Sequence, residues 1–111
     1  MRYALFVTLA LLFTVATLST SKGENATPAP VPVVTIDNYA YSPDQLTVSV
    51  GQSVRFVNHD DVAHTITEKD GAFDSGLINK DKTWTHKFEK AGTFWYSCTI
   101  HTSMRGTITV Q

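Results

Sequence analysis

The only cysteine of this 111-residue chain, Cys98, is followed at intervals of three by His101 and then Met104. The four residues between them have low helix propensity. The spacing is therefore better interpreted as a tight loop that brings the three side chains together at one point. A thiolate and a thioether are soft donors and imidazole is intermediate, a set that selects copper over magnesium or calcium. We therefore predict a copper site that includes these three side chains.

Packing offers an alternative interpretation of the same residues. A cysteine without a disulfide partner is often simply a small buried hydrophobic side chain. Met104 can likewise pack beneath a loop, although the polar composition of residues 99–103 gives it little reason to do so. Zinc is a further alternative for the site, but it prefers cysteine, histidine or carboxylate ligands to a thioether.

One of the three remaining histidines is expected to supply a second imidazole, which would complete a plane of two histidines and one cysteine with the methionine on its axis. His64 lies between a turn and a strand predicted over residues 63–68, where a rigid scaffold can present it to a neighbouring loop. His59 is in the turn among acidic residues and is expected to be solvated. His86 alternates with aromatic residues and is expected to pack. His64 is the favoured ligand, and the other two are the alternatives.

The elements that position these residues are predicted to be strands. Hydrophobic residues beyond residue 33 alternate with a period of two, and no window gives an amphipathic helix. Seven or eight short strands separated by turn-forming residues predict an all-β domain, either a sandwich or a barrel. The strand segments are VVTID, QLTVSV, SVRFVN, AHTITE, WTHKF, TFWYS and GTITV.

The N-terminal segment, residues 1–21, is predicted to be a secretory signal peptide cleaved between residues 19 and 26. One Arg precedes an apolar run without charge over residues 3–18. The run is shorter than the roughly 20 residues of a membrane span, so a membrane anchor is the alternative and no span is expected in the mature form. Residues 22–32 are rich in proline and read as a linker. Residues 33–111 then form the folded domain of a periplasmic or extracellular protein.

Charge and size exclude several functional classes. The chain has 9 Lys+Arg against 10 Asp+Glu, a net charge of −1, and no basic stripe. Nucleic-acid binding is therefore not expected. A multicopper oxidase or a nitrite reductase would need further histidine clusters and a second domain, which a chain of this length lacks. We expect a protein that is not an enzyme.

With His64 upstream, the segment CTIHTSM over residues 98–104 resembles the ligand set of the cupredoxins, the small type 1 blue copper proteins. The short C-x2-H-x2-M loop is most similar to amicyanin-like and plastocyanin-like members. The likeness extends to FEKAGTFWYSC (88–98), to MRGTITV (104–110) and to LTVSVGQSVRFVNHD (46–60). It therefore covers residues 33–111.

This resemblance implies an eight-stranded Greek-key β-sandwich with one type 1 copper at one end. His64, Cys98 and His101 would form the copper plane, and Met104 would be the weak axial contact. It further implies a monomeric one-electron carrier that docks to redox proteins near His101. A copper storage, delivery or resistance protein on the same fold is the alternative, although such proteins tend to carry Met-rich or His-rich tracts that are absent here.

Four positions depart from the family pattern. Thr65 stands where most members have Asn, so the connection between the two ligand segments is expected to be looser. Ile100 and Thr102 replace prolines, which removes rigidity from the ligand loop. Ser97 replaces the tyrosine that precedes the cysteine in plastocyanins. The redox partners and the reduction potential therefore do not follow from the resemblance.

Overall fold

The computed structural model describes residues 30–111 and the isolated residue 16. The predicted signal peptide and most of the predicted linker lie outside the described residues, so the division of the chain at residues 21 and 32 stays a prediction. No helix able to cross a membrane occurs in the part of the chain that the structure describes. The eight described strands are β1 (Val33–Asp37), β2 (Ala40–Ser42), β3 (Gln45–Val48), β4 (Gln52–Asn58), β5 (Thr67–Glu68), β6 (Thr83–Phe88), β7 (Gly92–Ser97) and β8 (Arg105–Val110).

The strands form two four-stranded sheets, with the orders β2-β1-β4-β6 and β3-β8-β7-β5. The pairs β1–β4 and β3–β8 are parallel, and the other pairs are antiparallel. Parallel partners cannot be joined by a tight hairpin, so the chain crosses repeatedly from one sheet to the other. The predicted all-β sandwich is confirmed.

The core lies between the two sheets, because alternate residues of each strand face inward. In β4, Val54, Phe56 and Asn58 are buried, whereas Arg55 between them is exposed. The buried apolar side chains of both sheets form one cluster, which consists of Val34, Ile36, Tyr41, Val48, Val54, Phe56, Ile66, Phe73, Ile78, Phe88, Tyr96, Cys98, Met104, Ile108 and Val110. Both Cys98 and Met104 therefore belong to this core.

Two elements differ from the sequence-based expectation. The strand predicted over residues 63–68 is paired in a sheet only at its last two residues, β5. His64 instead forms an isolated bridge with Ile78, with N–O distances of 3.2 and 2.8 Å. β2 was not predicted, because three residues are too few to show an alternating pattern. His64 is thus held outside the two sheets, with its side chain beside Cys98.

Gly106 is required by the packing between β7 and β8. It pairs with Tyr96, and a Cβ added at this position would lie 2.6 Å from Tyr96 Cε2 and closer still to Cζ and Oη. We expect Gly106→Ala to lower the free energy of unfolding by about 1–3 kcal/mol or more, because the buried ring has to shift. Urea denaturation measures the change. Thr107→Ala on the same strand is the control, with an expected cost below about 1 kcal/mol; equal costs would contradict the prediction.

Candidate metal centre

The loop between β7 and β8 carries Cys98, His101 and Met104. Its two ends are held together because Ser97 and Arg105 form the last pair of the antiparallel ladder. The Met104 N–H donates to the His101 carbonyl over 3.0 Å, which closes the turn within the loop. Cys98 and Met104 are buried and His101 is partly buried. A short loop between paired strands thus keeps the predicted donors at one end of the sandwich.

Three of the four predicted ligands come together in space. One donor atom from each of His64, Cys98 and His101 lies within 4.8 Å of the other two. The His64 Nδ1 to Cys98 Sγ distance is 3.7 Å, and both residues are fully buried. Met104 is buried in the same loop, three residues after His101. The roles of these four residues as metal ligands stay predictions.

A buried imidazole nitrogen without a partner supports a ligand at this point. His101 Nδ1 is inaccessible to solvent and has no hydrogen-bond partner among the described residues. Buried side-chain polar atoms are nearly always paired, so an unpaired one calls for an explanation. Its position beside a thiol and a second imidazole fits a metal ion that accepts nitrogen and sulfur donors. This donor set suits copper.

The Cys98 sulfur lies in an environment that favours the thiolate. The Thr65 N–H donates to Sγ over 3.4 Å. Burial opposes ionisation of the thiol, but hydrogen bonds from the backbone amides of Thr65 and His101 outweigh it and lower the pKa of Cys98 to about 6. Because the thiolate is the form that binds metals, Cys98 is prepared for ligation near neutral pH.

Thr65 connects the His64 segment to the ligand loop. Its Oγ1 accepts a hydrogen bond from the Thr99 N–H over 3.0 Å and lies 2.9 Å from Thr67 Oγ1. Its carbonyl accepts a hydrogen bond from Tyr41 Oη over 2.6 Å. The sequence indicated a looser connection at this position, but the single hydroxyl bridges the two segments directly, because Thr99 lies within its reach.

Asp60 determines which nitrogen of His64 is free to bind a metal. The Asp60 carboxylate lies 2.7 Å from His64 Nε2. A carboxylate only accepts hydrogen bonds, so the proton belongs to Nε2, and the lone pair of Nδ1 faces Cys98 Sγ. Burial opposes ionisation of Asp60, but hydrogen bonds from the Tyr39 amide, from His64 and from the Asn38 amide outweigh it and lower the pKa of the carboxyl. Sequence reasoning missed Asp60, because the chain between Asp60 and His64 was predicted to be a turn, where a spacing of four residues does not by itself predict a contact.

The other two histidines do not join the cluster. His59 is half-exposed, and its Nδ1 lies 4.0 Å from a carboxylate oxygen of Asp81. His86 is in β6, where its ring stacks on Trp84 with centroids 5.1 Å apart and an interplanar angle of 14°. Its ring also contacts Phe73 and Phe88. The expected solvation of His59 and packing of His86 agree with these positions.

His86 makes the stability of the protein depend on pH. Burial lowers the pKa of His86 below its ordinary value, and Glu89 only partly offsets this. The folded state therefore binds the proton less readily than the unfolded chain, whose histidine titrates near about 6.5. This contribution to stability is complete above the unfolded pKa and is lost as the pH falls through the folded pKa.

We expect the free energy of unfolding of the metal-free protein to fall less steeply between about pH 7 and pH 5 in His86→Gln than in the parent. Urea denaturation at several pH values measures this slope. Thr85→Gln, at an exposed position next to His86 in β6 that carries no titratable side chain, is the matched control and should keep the parental slope. An unchanged slope in His86→Gln would show that the ring does not resist protonation.

Comparisons with known proteins agree with this geometry. Residues 5–110 match the family model for the cupredoxin-like domain. The chain is 33% identical to amicyanin of Paracoccus versutus over 89 residues, which cover 76% of this chain and 67% of that protein. It is 32% identical to plastocyanin of Scenedesmus fuscus over 84 residues, which cover 64% of this chain and 86% of that protein.

A solved structure gives the same result at the level of the fold. The structure of the Cu(I) form of an amicyanin mutant superposes with a TM-score of 0.70 at 27% identity, and the match covers 78% of this chain and 87% of that one. The family model matches nearly the whole chain. The chain belongs to the cupredoxin-like family.

Proposed function

We propose that this protein is a small type 1 copper protein that carries single electrons between redox proteins, with one copper ion held by His64, Cys98, His101 and Met104. The observation that carries the proposal is the convergence of one thiol and two imidazoles within 4.8 Å at the end of a β-sandwich. The similarity to amicyanin and plastocyanin supports it.

Copper supplies the chemistry, which is the exchange of one electron between its Cu(II) and Cu(I) states. The protein keeps the donor atoms in place. His64 and Cys98 are fully buried, and Thr65 ties their two segments together. A site that moves little between the two oxidation states has a low barrier to electron transfer, and a buried site excludes water. No substrate chemistry is part of this role.

We place the docking surface for redox partners around His101. Two apolar side chains next to it are exposed, Tyr39 by 50% and Ile100 by 54%, and Val62, exposed by 38%, lines a shallow pocket together with Tyr39. The Tyr39 ring centroid lies 4.9 Å from that of His101, and Ile100 precedes His101 in the chain. An apolar surface next to the most accessible ligand suits brief contact with another protein. Export of a monomer to the periplasm or the extracellular space belongs to the same proposal and is supported by the N-terminal apolar segment.

Isotope labelling separates an electron carrier from a copper storage or delivery protein. A ¹⁵N-labelled protein loaded with ⁶⁵Cu(II) is mixed with unlabelled protein loaded with ⁶³Cu(I). An electron carrier equalises the oxidation states of the two populations within seconds. Cu(II) broadens the amide NMR signals near the copper, so partial reduction of the labelled population is followed by the recovery of its ¹⁵N signals without any separation. Native mass spectrometry should then find each copper isotope on its original protein. Exchange of isotopes at the rate of electron exchange would favour storage or delivery instead.

A further inference from the structure

The turn between β1 and β2 has an unusual backbone. It consists of Asn38 and Tyr39, whose φ angles are 49° and 58°, and it joins the paired residues Asp37 and Ala40. Two-residue turns of this kind usually place glycine at the second position, because positive φ is strained for a bulky side chain. A tyrosine held in such a conformation suggests that its side chain is needed at this place.

Tyr39 lies against both imidazoles of the cluster. Its ring makes edge contacts with His64, at a centroid distance of 5.4 Å, and with His101, at 4.9 Å. The residue is nevertheless 50% exposed. One side of the ring therefore touches the two imidazoles and the other faces solvent, so Tyr39 covers this edge of the metal centre.

Asp60 ties the Asn38–Tyr39 turn to His64. Its Oδ1 accepts a hydrogen bond from the Asn38 N–H at 2.6 Å, and its Oδ2 accepts one from the Tyr39 N–H at 2.9 Å and one from His64 Nε2 at 2.7 Å. Asp60 is only 8% exposed, and its own N–H donates to Asn58 Oδ1 over 2.9 Å. A single carboxylate, itself held in place, thus holds both the turn and the imidazole.

We propose that Asp60 is a positioning residue of the copper site, which aims His64 Nδ1 at the metal and at the same time clamps Tyr39 over the two imidazoles. This role rests on the proposed copper function. Ligand histidines are oriented by the acceptor that holds their second nitrogen, and loss of that acceptor typically weakens metal binding about 10- to 100-fold. The carboxylate charge also favours the more positive state of the metal, so its removal should raise the reduction potential.

The test compares Asp60→Asn with Asp61→Asn, a matched control. Asp61 is the neighbouring residue, but it is exposed and pairs with Lys80 over 2.6 Å. In the metal-free protein, the ring N–H of His64 should give a protected low-field proton signal in the parent and in Asp61→Asn. In Asp60→Asn this signal should be lost, and amide hydrogen exchange at residues 38 and 39 should accelerate at least about tenfold, because an uncharged amide oxygen is a weaker acceptor.

Copper-loaded protein provides the second set of measurements. Release of copper to a chelator should accelerate about 10- to 100-fold in Asp60→Asn, and the reduction potential should rise, with no change in Asp61→Asn. Glycine adopts the positive φ of this turn readily, and Tyr39→Gly keeps the backbone N–H that donates to Asp60. If Asp60→Asn fails to fold, this variant still tests whether the Tyr39 ring covers the two imidazoles. In this variant the His64 ring proton should remain but exchange with water faster.

Each result decides a different point. An unchanged His64 signal and unchanged amide exchange in metal-free Asp60→Asn would overturn the clamp, whatever the protein binds. A disrupted clamp with parental copper release and potential would overturn the positioning role and leave the proposed electron carrier intact. If the His64 ring proton of Tyr39→Gly exchanged with water at the parental rate, the role of Tyr39 as a cover would be overturned. The His64 proton and the amide exchange could also change as expected in Asp60→Asn while the parent protein binds no copper. This result would refute the proposed function, and the positioning role with it.

Discussion

Replacement of Cys98 by serine should abolish the intense visible absorption of the oxidised, copper-loaded protein. The colour of such a site comes from charge transfer between a thiolate and Cu(II), and the Cys98 sulfur is the only thiol in the chain. A serine hydroxyl is a hard oxygen donor that stays protonated near neutral pH, so it provides neither the band nor comparable affinity for copper. We expect essentially the whole band to disappear.

The structure allows this loss to be assigned to chemistry rather than to unfolding. Cys98 is fully buried beside His64 and Thr65, and serine has a similar shape, so the fold should persist. Far-ultraviolet circular dichroism checks the fold, and absorption spectra before and after reduction check the band. Ser97→Ala is the matched control, since this neighbour alternates with the buried Tyr96 and should leave the colour unchanged. A blue Cys98→Ser variant, or a colourless parent loaded with copper, would refute the site.

The second large effect is expected at His64. His64→Ala should reduce copper affinity by more than about 100-fold, since it removes a donor atom itself rather than a residue that orients one. Competition with a copper chelator measures the affinity, and the visible spectrum reports the site. His59→Ala and His86→Ala should behave like the parent, because the first side chain is exposed and the second packs on Trp84.

A structural role of His64 would also disturb the site, so a second measurement is needed. The alanine variant leaves a cavity beside Cys98 and deprives Asp60 of a hydrogen-bond donor. Free imidazole that restores the blue spectrum would show that the missing group is a ligand. A parental spectrum in His64→Ala would instead direct the search to His86, the remaining strand histidine.

The two parts of the metal centre differ in how far they can be predicted. The three residues of the ligand loop lie within seven positions, so spacing and residue type alone predicted that they share one site, and the structure brings Cys98 and His101 together with His64. His64 lies 34 residues before Cys98. Its choice over His59 and His86 depended on a predicted strand, most of which does not form. His64 reaches the cluster through its bridge to Ile78, which no local pattern shows.

By itself the sequence determined the all-β class, the soft donors of the ligand loop and the family likeness, because these depend on side-chain period, local spacing and residue chemistry. Only the tertiary structure decided the parallel pairs β1–β4 and β3–β8, the bridge from Thr65 to Thr99, and the hold of Asp60 on the Asn38–Tyr39 turn. These contacts join residues that are far apart in the chain. They form only when the two sheets pack against each other around their shared core. A local sequence pattern does not identify which distant residue will then lie within hydrogen-bonding distance.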